Sequence, residues 1–453
     1  MHTGTSSDLK VEVTYKQILS IALPTAFAMV VPQINLLTNN LFLSRLGEEH
    51  LGNAGITGVF YLIFAVAGNG LNSGLQNIFS RLAGNDKPEE FNSVFAQGAR
   101  ISLMFSILFI AITYFVAPII LRSVSNPENF PAEMSFLKIR IWGLPFLYIF
   151  QMGNAFLLAS LKSKYLIWGF IVEALINIIF DYFLIFGKGG FPQMGFNGAA
   201  LASVLSEVVA CVFVYGLLFY TGLKKKYSLF RNFKGNNEIQ KRILNFSIPL
   251  MAQYILSIAT WLFFFILVEE RGSEAKAISN AMRNVLGLCG IFIWALGSSC
   301  NTMTGNLIGQ QREREVLLLV KKICILAGSY GLFVLIVFGW KPQYFLSIFS
   351  QGDDFVAHAV PVARIVCAAM IFMSIAVVHI NAIAGLGKTR ITLVIEIIAI
   401  IVYVAYTWYV MKVINGSLML GWSNEFVYWV MLMASGIIYL QYYFRSKKIR
   451  SLS

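Results

Sequence analysis

The sequence predicts an all-α integral membrane protein with twelve transmembrane helices, built as two six-helix lobes related by an internal parallel repeat. Three observations carry that prediction. Only 13% of the 453 residues are charged and the mean hydropathy is +0.70, whereas soluble domains carry about 25% charge. Apolar runs of about 20 residues, long enough to cross a bilayer as a helix, occur twelve times along the chain. Short motifs of the first half return in the second half at one fixed offset.

The twelve apolar runs fall at 15–42, 53–80, 94–122, 135–160, 165–187, 198–222, 240–268, 276–307, 316–340, 357–385, 391–412 and 422–444. Basic residues test this count, because short cytoplasmic loops hold an excess of Lys and Arg. With a cytoplasmic N-terminus, 23 of the 35 basic residues fall on the cytoplasmic side and nine outside, among them Arg140. A missed span would invert the second half and spoil the split. The expected layout is a cytoplasmic tail at 1–14, a first lobe at 15–222, a cytoplasmic linker at 223–239, a second lobe at 240–444 and a cytoplasmic tail at 445–453. The linker region is the longest and most basic loop, with Lys224, Lys225, Lys226, Arg231 and Lys234. The polar start has no apolar stretch behind a basic one, so no cleaved signal is expected.

The repeat is read from paired motifs. Lys16-Gln-Ile-Leu-Ser-Ile-Ala-Leu-Pro24 returns as Lys241-Arg-Ile-Leu-Asn-Phe-Ser-Ile-Pro249, an offset of 225. The same offset links Gly47 to Gly272, Leu82-Ala-Gly84 to Leu307-Ile-Gly309, and Ala159-Ser-Leu161 to Ala384-Gly-Leu386. Six spans per copy give both copies the same orientation, so the repeat is parallel, with alternating access by rocking of the lobes as the expected motion. Pro24, inside the first span, removes one backbone hydrogen bond and bends the helix; Pro249 is its counterpart.

Several function classes drop out. The formal charge of +13 sits in short loops, where membrane topology explains it, so no nucleic-acid partner is expected. Cys211, Cys289, Cys300, Cys324 and Cys367 lie in apolar runs without metal-ligand spacing. His2, His50, His358 and His379 are scattered. No metalloprotease, P-loop or serine-hydrolase motif is present. The sequence therefore predicts no enzyme and no organic cofactor, and without a nucleotide site, transport driven by an ion gradient or by the cargo's own gradient.

The candidate coupling site centres on Val172–Glu207, two apolar segments joined by a Gly-rich hairpin. Glu173, Asn177 and Asp181 are four residues apart, hence on one helix face. Ser203 and Glu207 share a face of the next helix. Ionisable groups in such segments are costly in lipid and normally face a protein interior or a wet cavity. Asp181 at mid-span can take a proton from one side and release it to the other. Asn154, Asn177, Asp181 and Ser203 also offer oxygens of the kind Na⁺ accepts, so H⁺ and Na⁺ both remain open. Glu173 and Glu207 are candidates for coupling or cargo binding, although Glu173 lies about two and a half helical turns from Lys164 and can snorkel. Amides enrich the first lobe: Asn35 and Asn39 in the first span, Asn69, Asn72 and Gln76 in the second, Gln151 and Asn154 in the fourth. They indicate either interhelical hydrogen bonding or a hydrated pocket. In the second lobe Glu396 and Arg364 are read as a buried pair, His379 as a bonded core histidine, and Trp261, Phe263, Phe264, Phe265, Phe292 and Trp294 as aromatic surface suited to flat cations.

Leu41-Phe-Leu-Ser-Arg-Leu-Gly47 after a proline-containing first helix resembles the first-helix motif of multidrug and toxic compound extrusion (MATE) transporters, within the MOP superfamily. Asn177-Ile-Ile-Phe-Asp181 to Gly187, followed by Gly198-Ala-Ala-Leu-Ala-Ser203, resembles the fifth and sixth helices of their DinF-like branch. The resemblance implies export of organic cations or other amphipathic compounds in exchange for H⁺ or Na⁺, by a monomer in a bacterial inner membrane. It also implies a cation site in which Asn154, Asn177 and Asp181 match the family pattern and Ser203 stands where threonine is usual. The family's first-helix aspartate maps to Asn39, which cannot ionise, so either Asp181 works alone or with Glu173 or Glu207, or the coupling ion and cargo differ from the family norm. Within the same superfamily, a flippase of lipid-linked saccharides is the alternative, with Arg283 and Arg364 as its only cavity cations.

Overall fold

The protein is described by a computed structural model covering residues 9–46, 48–230, 234–347 and 353–450. Gly47, His2 and Arg231, which enter the motif, histidine and charge readings above, lie outside the described residues. The long elements among the described residues are all helices, as lipid requires of a backbone that must satisfy its own hydrogen bonds. Among the described residues, twelve helices are long and apolar enough to span a membrane. They are α1 (Tyr15–Ser44), α2 (Asn53–Gly84), α3 (Glu90–Phe115), α4 (Phe130–Ala159), α5 (Lys164–Phe186), α6 (Phe196–Tyr220), α7 (Asn237–Glu269), α8 (Ser273–Gly309), α9 (Glu313–Gly339), α10 (Asp354–Gly385), α11 (Thr389–Val413) and α12 (Leu418–Lys447).

The repeat is visible in the backbone. Asp86 and Gln311, 225 residues apart, are both in the left-handed region (φ 56° and 62°) at the ends of α2 and α8. Their neighbours close the same helix-ending hydrogen bonds. Lys87 N–H donates to Leu82 O at 3.2 Å, and Arg312 N–H donates to Leu307 O at 2.9 Å. After α4 and α10 the equivalence slips by one residue. Leu161 (φ 59°) corresponds to Gly387 (φ 77°), not to Leu386 as the sequence match has it. A residue has been gained between the two turns, and identity of letters alone did not reveal it.

The chain forms two compact units. Unit one comprises residues 1–9 and 27–251, and unit two residues 10–26 and 252–453. Along the chain, α1 changes unit between Ala26 and Phe27 and α7 between Met251 and Ala252. Both points fall two residues beyond the paired prolines. In unit one, Phe156 meets Phe79, Phe91, Phe95 and Tyr227 edge-on at ring distances of 5.5–5.7 Å, all five rings buried. The fourth span carries a 3₁₀ turn at Ile141–Gly143, and Arg140 is the last residue of the α-helical stretch before it.

In unit two, Phe264, Met282, Met370 and Trp422 lie in one apolar core, and Trp422 Nε1–H donates to Ser279 Oγ at 2.9 Å. The segment just before α1, read from sequence as part of a polar tail, is held there as well. Val11 is fully buried. Its N–H donates to Asn306 Oδ1 (3.1 Å) and its carbonyl accepts from Gln310 Nε2 (3.0 Å), while Lys322 Nζ donates to Val13 O at 2.7 Å.

Candidate functional site

The α5–α6 hairpin is set by glycine. Gly187 ends α5 in the left-handed conformation (φ 65°), where L side chains are strained. A Cβ on Gly198 would lie 2.7 Å from the carbonyl carbon and oxygen of Leu184, so only glycine lets the two backbones approach this closely. That approach brings Ser203 of α6 to Asn177 of α5.

Asn177 and Asp181 are both fully buried. Hydrogen-bond satisfaction fixes the Asn177 amide. Its Oδ1 accepts from Ser203 N–H and Oγ–H at 3.2 and 3.3 Å. Its Nδ2 lies beside three oxygens, Asn39 Oδ1 at 2.6 Å, Asn35 Oδ1 at 2.7 Å and Asp181 Oδ2 at 3.1 Å, with Asn39 Nδ2 at 3.2 Å. One amide nitrogen has two hydrogens, so Asn177 Nδ2 can donate to only two of the three oxygens beside it at once. Asp181 Oδ1 is buried with no hydrogen-bond partner. The structure thus gathers five of the residues singled out from sequence, Asn35, Asn39, Asn177, Asp181 and Ser203, at one point.

The remaining candidates stand elsewhere. Both side-chain atoms of Asn154 are buried and without a partner, so it makes no hydrogen bond to this cluster. Gln151 and Asn72 belong to a separate amide network between α2 and α4. Asn72 Nδ2 donates to Gln151 Oε1 (3.2 Å), and Gln151 Nε2 donates to Asn69 Oδ1 (2.8 Å).

Glu207 is an ion-paired residue. Arg140 grips it with both guanidinium ends, Nη1 to Oε2 at 2.9 Å and Nη2 to Oε1 at 2.6 Å. Tyr61 Oη donates to Oε1 at 3.0 Å, and the guanidinium stacks over the Tyr61 ring at 3.7 Å. Gly143 makes room for this: a Cβ there would sit 1.9 Å from Glu207 Oε2. Glu173 is half-buried and within electrostatic reach of both Arg140 and Glu207. Arg140, Tyr61 and Gly143 escaped the sequence reading. Arg140 was counted among the outer-loop charges, but an acidic residue deep in a span calls for a counter-charge, and that was the available signal.

In unit two the expected Glu396–Arg364 pair is absent. Arg364 is exposed, and Glu396, 2% exposed, is held by neutral donors: Ser257 Oγ at 2.6 Å, Gln253 Nε2 at 3.2 Å and Tyr428 Oη. The physical reason is register, since Arg364 falls on the outward face of α10. His379 Nδ1–H donates to Ile375 O at 2.8 Å, consistent with a bonded core histidine. Arg283 is also exposed, its guanidinium 5.8 Å from the Phe265 ring centre. Among the described residues no cluster of three or more His, Cys, Asp and Glu could hold a metal.

Comparison with known proteins gives a consistent picture. The MatE family model matches residues 24–183 and 249–409, two stretches that begin 225 residues apart. A probable multidrug resistance protein NorM of Thermotoga maritima is 24% identical over 401 residues, covering 85% of this chain and 83% of the relative. One of Agrobacterium fabrum is 19% identical, covering 85% and 84%. Among solved structures, a MATE protein in complex with MaL6 superposes with a TM-score of 0.88 at 17% identity, over 99% of this chain and all of that one. An outward-facing multidrug resistance MATE family transporter of the MOP superfamily gives 0.87 at 18% identity, over 99% of each. Since the family model accounts for most of the chain, and for both copies of its repeat, the chain belongs to the MatE family of multi-pass membrane transporters.

Proposed function

We propose that this protein exports organic cations or other amphipathic compounds in exchange for H⁺ or Na⁺, with Asp181 as the coupling carboxylate. The observation that carries the reading is the surplus of oxygens around Asn177 Nδ2, beside a buried Asp181 oxygen that has no donor. A bound proton on Asp181 supplies the missing hydrogen. A bound Na⁺ supplies positive charge to the same oxygens and accepts a ligand set of amide, hydroxyl and carboxylate oxygens. Asn177, Asn39, Asn35 and Ser203 act as ligands or hydrogen-bond partners. Asn154, whose amide is buried without a partner, matches the family pattern and is included in the proposed set. Asn39 stands where the family resemblance places a second carboxylate, so a single proton or a single Na⁺ per cycle is the stoichiometry in this reading.

The names of the relatives support multidrug efflux as the cargo class. The protein works as a monomer with both termini in the cytoplasm of a bacterial inner membrane. Loading purified protein into vesicles and following ethidium under a pH gradient and a Na⁺ gradient separately tests the reading. Movement driven by one gradient, and lost in Asp181→Ala, names the ion. No movement under either gradient with several cations defeats it, and lipid-linked saccharides then become the cargo to test.

A further inference from the structure

The segment ahead of α1 docks on unit two as an extended strap. Val11 and Val13 are buried, while Lys10, Glu12 and Thr14 are exposed. This alternation is that of an extended backbone, whose successive side chains point to opposite sides. The strap is gripped by its main chain. Val11 N–H donates to Asn306 Oδ1 at 3.1 Å, and its carbonyl accepts from Gln310 Nε2 at 3.0 Å and Arg312 Nη1 at 3.3 Å. Val13 O accepts from Lys322 Nζ at 2.7 Å, and the same ammonium lies 5.4 Å from the Tyr15 ring centre. Asn306 is in the last turn of α8, Gln310 and Arg312 are in the turn that follows, and Lys322 is on α9. One end of a single helical hairpin therefore makes the whole grip.

Such a grip can open without leaving polar groups stranded, because the receiving side chains are bonded to one another. Gln310 Nε2 also donates to Asn306 Oδ1 at 2.7 Å, and Arg312 Nη1 to Gln310 Oε1 at 3.0 Å. Arg312 Nε and Nη2 donate to Glu315 Oε1 and Oε2 at 2.6 and 2.7 Å. Asn306, Gln310 and Arg312 thus each keep a partner when the strap leaves. The groups freed on the strap are main-chain N–H and C=O, which water satisfies. Burial of two valine side chains is set against the ordering of a length of backbone, and these opposing terms are of similar size. The internal repeat supplies an independent observation. Gln97 on α3 and Lys322 on α9 are 225 residues apart. Gln97 Nε2 donates to Lys234 O at 2.8 Å, and its Oε1 accepts from Gln240 Nε2 at 2.8 Å. In each unit, the third helix of one copy holds the main chain just ahead of the first helix of the other copy. One position does the same work twice, with an amide in one copy and a cation in the other.

We propose that residues 10–14 are a reversible latch that holds the first part of α1, residues 15–26, to unit two. With the latch docked, residues 15–26 are fixed to that unit, and α1 bends where it changes unit after Ala26. With the latch released, residues 15–26 lose this anchorage and move with the rest of α1. The latch does not depend on which ion or cargo the protein uses, so it goes beyond the coupling reading and is tested without either.

Hydrogen–deuterium exchange of the full-length protein in lipid nanodiscs, read by mass spectrometry, reports such opening peptide by peptide. In the wild type, residues 10–14 are expected to exchange more slowly than a free peptide of the same sequence. Lys322→Met keeps the apolar stem and removes the donor to Val13 O, and Gln310→Ala removes a donor to Val11 O. Each is expected to speed exchange of residues 10–14 about tenfold, the scale of one lost hydrogen bond. Each is also expected to speed exchange of residues 15–26 and to leave residues 27–44 at the wild-type rate. Should one variant fail to fold, the other decides the matter. A wild-type strap that exchanges at the free-peptide rate would overturn the proposal, since nothing would then be docked. So would a strap whose exchange neither variant changes, which is a fixed part of unit two. Faster exchange in the strap with residues 15–26 unaltered would leave a docked tail that latches nothing, and would overturn it as well.

Discussion

Asp181 and Glu207 are carboxylates on neighbouring helices of the same unit, both almost wholly buried, yet they are solved by opposite chemistry. Glu207 has a bidentate arginine, a tyrosine hydroxyl and a glycine that clears its space. Asp181 has one shared amide N–H and an oxygen with no donor. Burial alone therefore does not separate an ion-paired acid from one left without a counter-charge. In the coupling reading proposed above, what separates these two is whether the charge is answered by fixed partners: that of Glu207 is, and that of Asp181 is left to a mobile proton or cation.

The largest effect that sharpens this contrast is on transport. Asp181→Ala is expected to abolish gradient-driven efflux in vesicles while the protein still elutes as a folded species, because the site lacks only an ion ligand. Asp181→Asn separates the ions. It keeps the size and removes the charge, so proton coupling is lost. Coupled efflux that persists in Asp181→Asn would break the protonation account.

The next effect is on stability and belongs to Glu207. Glu207→Gln leaves the Arg140 charge buried without its partner, which costs about 3–5 kcal/mol when a buried pair is broken, read as an earlier thermal unfolding transition in detergent. Replacing both members, Arg140→Met with Glu207→Leu, is expected to restore most of that loss and to retain efflux. Efflux that vanishes in a stable double variant would move Glu207 into the coupling machinery and collapse the comparison. Gly143→Ala attacks the same pair sterically. Its methyl group would sit 1.9 Å from the carboxylate oxygen, and over-packing of this kind costs roughly 1–3 kcal/mol.

The fold was legible because lipid leaves few options. A bilayer demands helices of a set length, so hydropathy located all twelve, and the 225-residue echo located the repeat. The Asn177–Asp181 cluster was partly legible because α5 spacing put these two residues on one face and a Gly-rich hairpin signalled the approach of α6. Partners distant in sequence were not. Periodicity along α5 or α11 gives a face, but says nothing of which residue on another helix meets it. Arg140 was read as an outer charge because it lies near the start of the 135–160 run, although that run includes it. Arg364 was paired with Glu396 on sign alone, whereas three neutral donors fill that place.

Ser203 gives the smallest expected effect and the finest test. Its hydroxyl and backbone N–H both point at Asn177 Oδ1, at 3.3 and 3.2 Å, so Ser203→Ala removes one donor of a neutral pair and leaves the other. Losing such a bond costs about 0.5–1.5 kcal/mol. If Ser203 only orients the amide, the variant is expected to fold normally and to lose no more than about tenfold in apparent affinity for the coupling ion, the factor that corresponds to about 1.4 kcal/mol. Ser203→Thr retains the hydroxyl and is expected to match the wild type. The ion decides how the two variants differ. Were Na⁺ the coupling ion with Ser203 Oγ as a direct ligand, Ser203→Ala would shift the Na⁺ dependence of efflux and leave its pH dependence in place. Were it H⁺, the pH dependence would move and added Na⁺ would change nothing. An alanine variant indistinguishable from wild type in both profiles would remove Ser203 from the site and leave the α5 amide, α1 and Asp181 to carry the coupling.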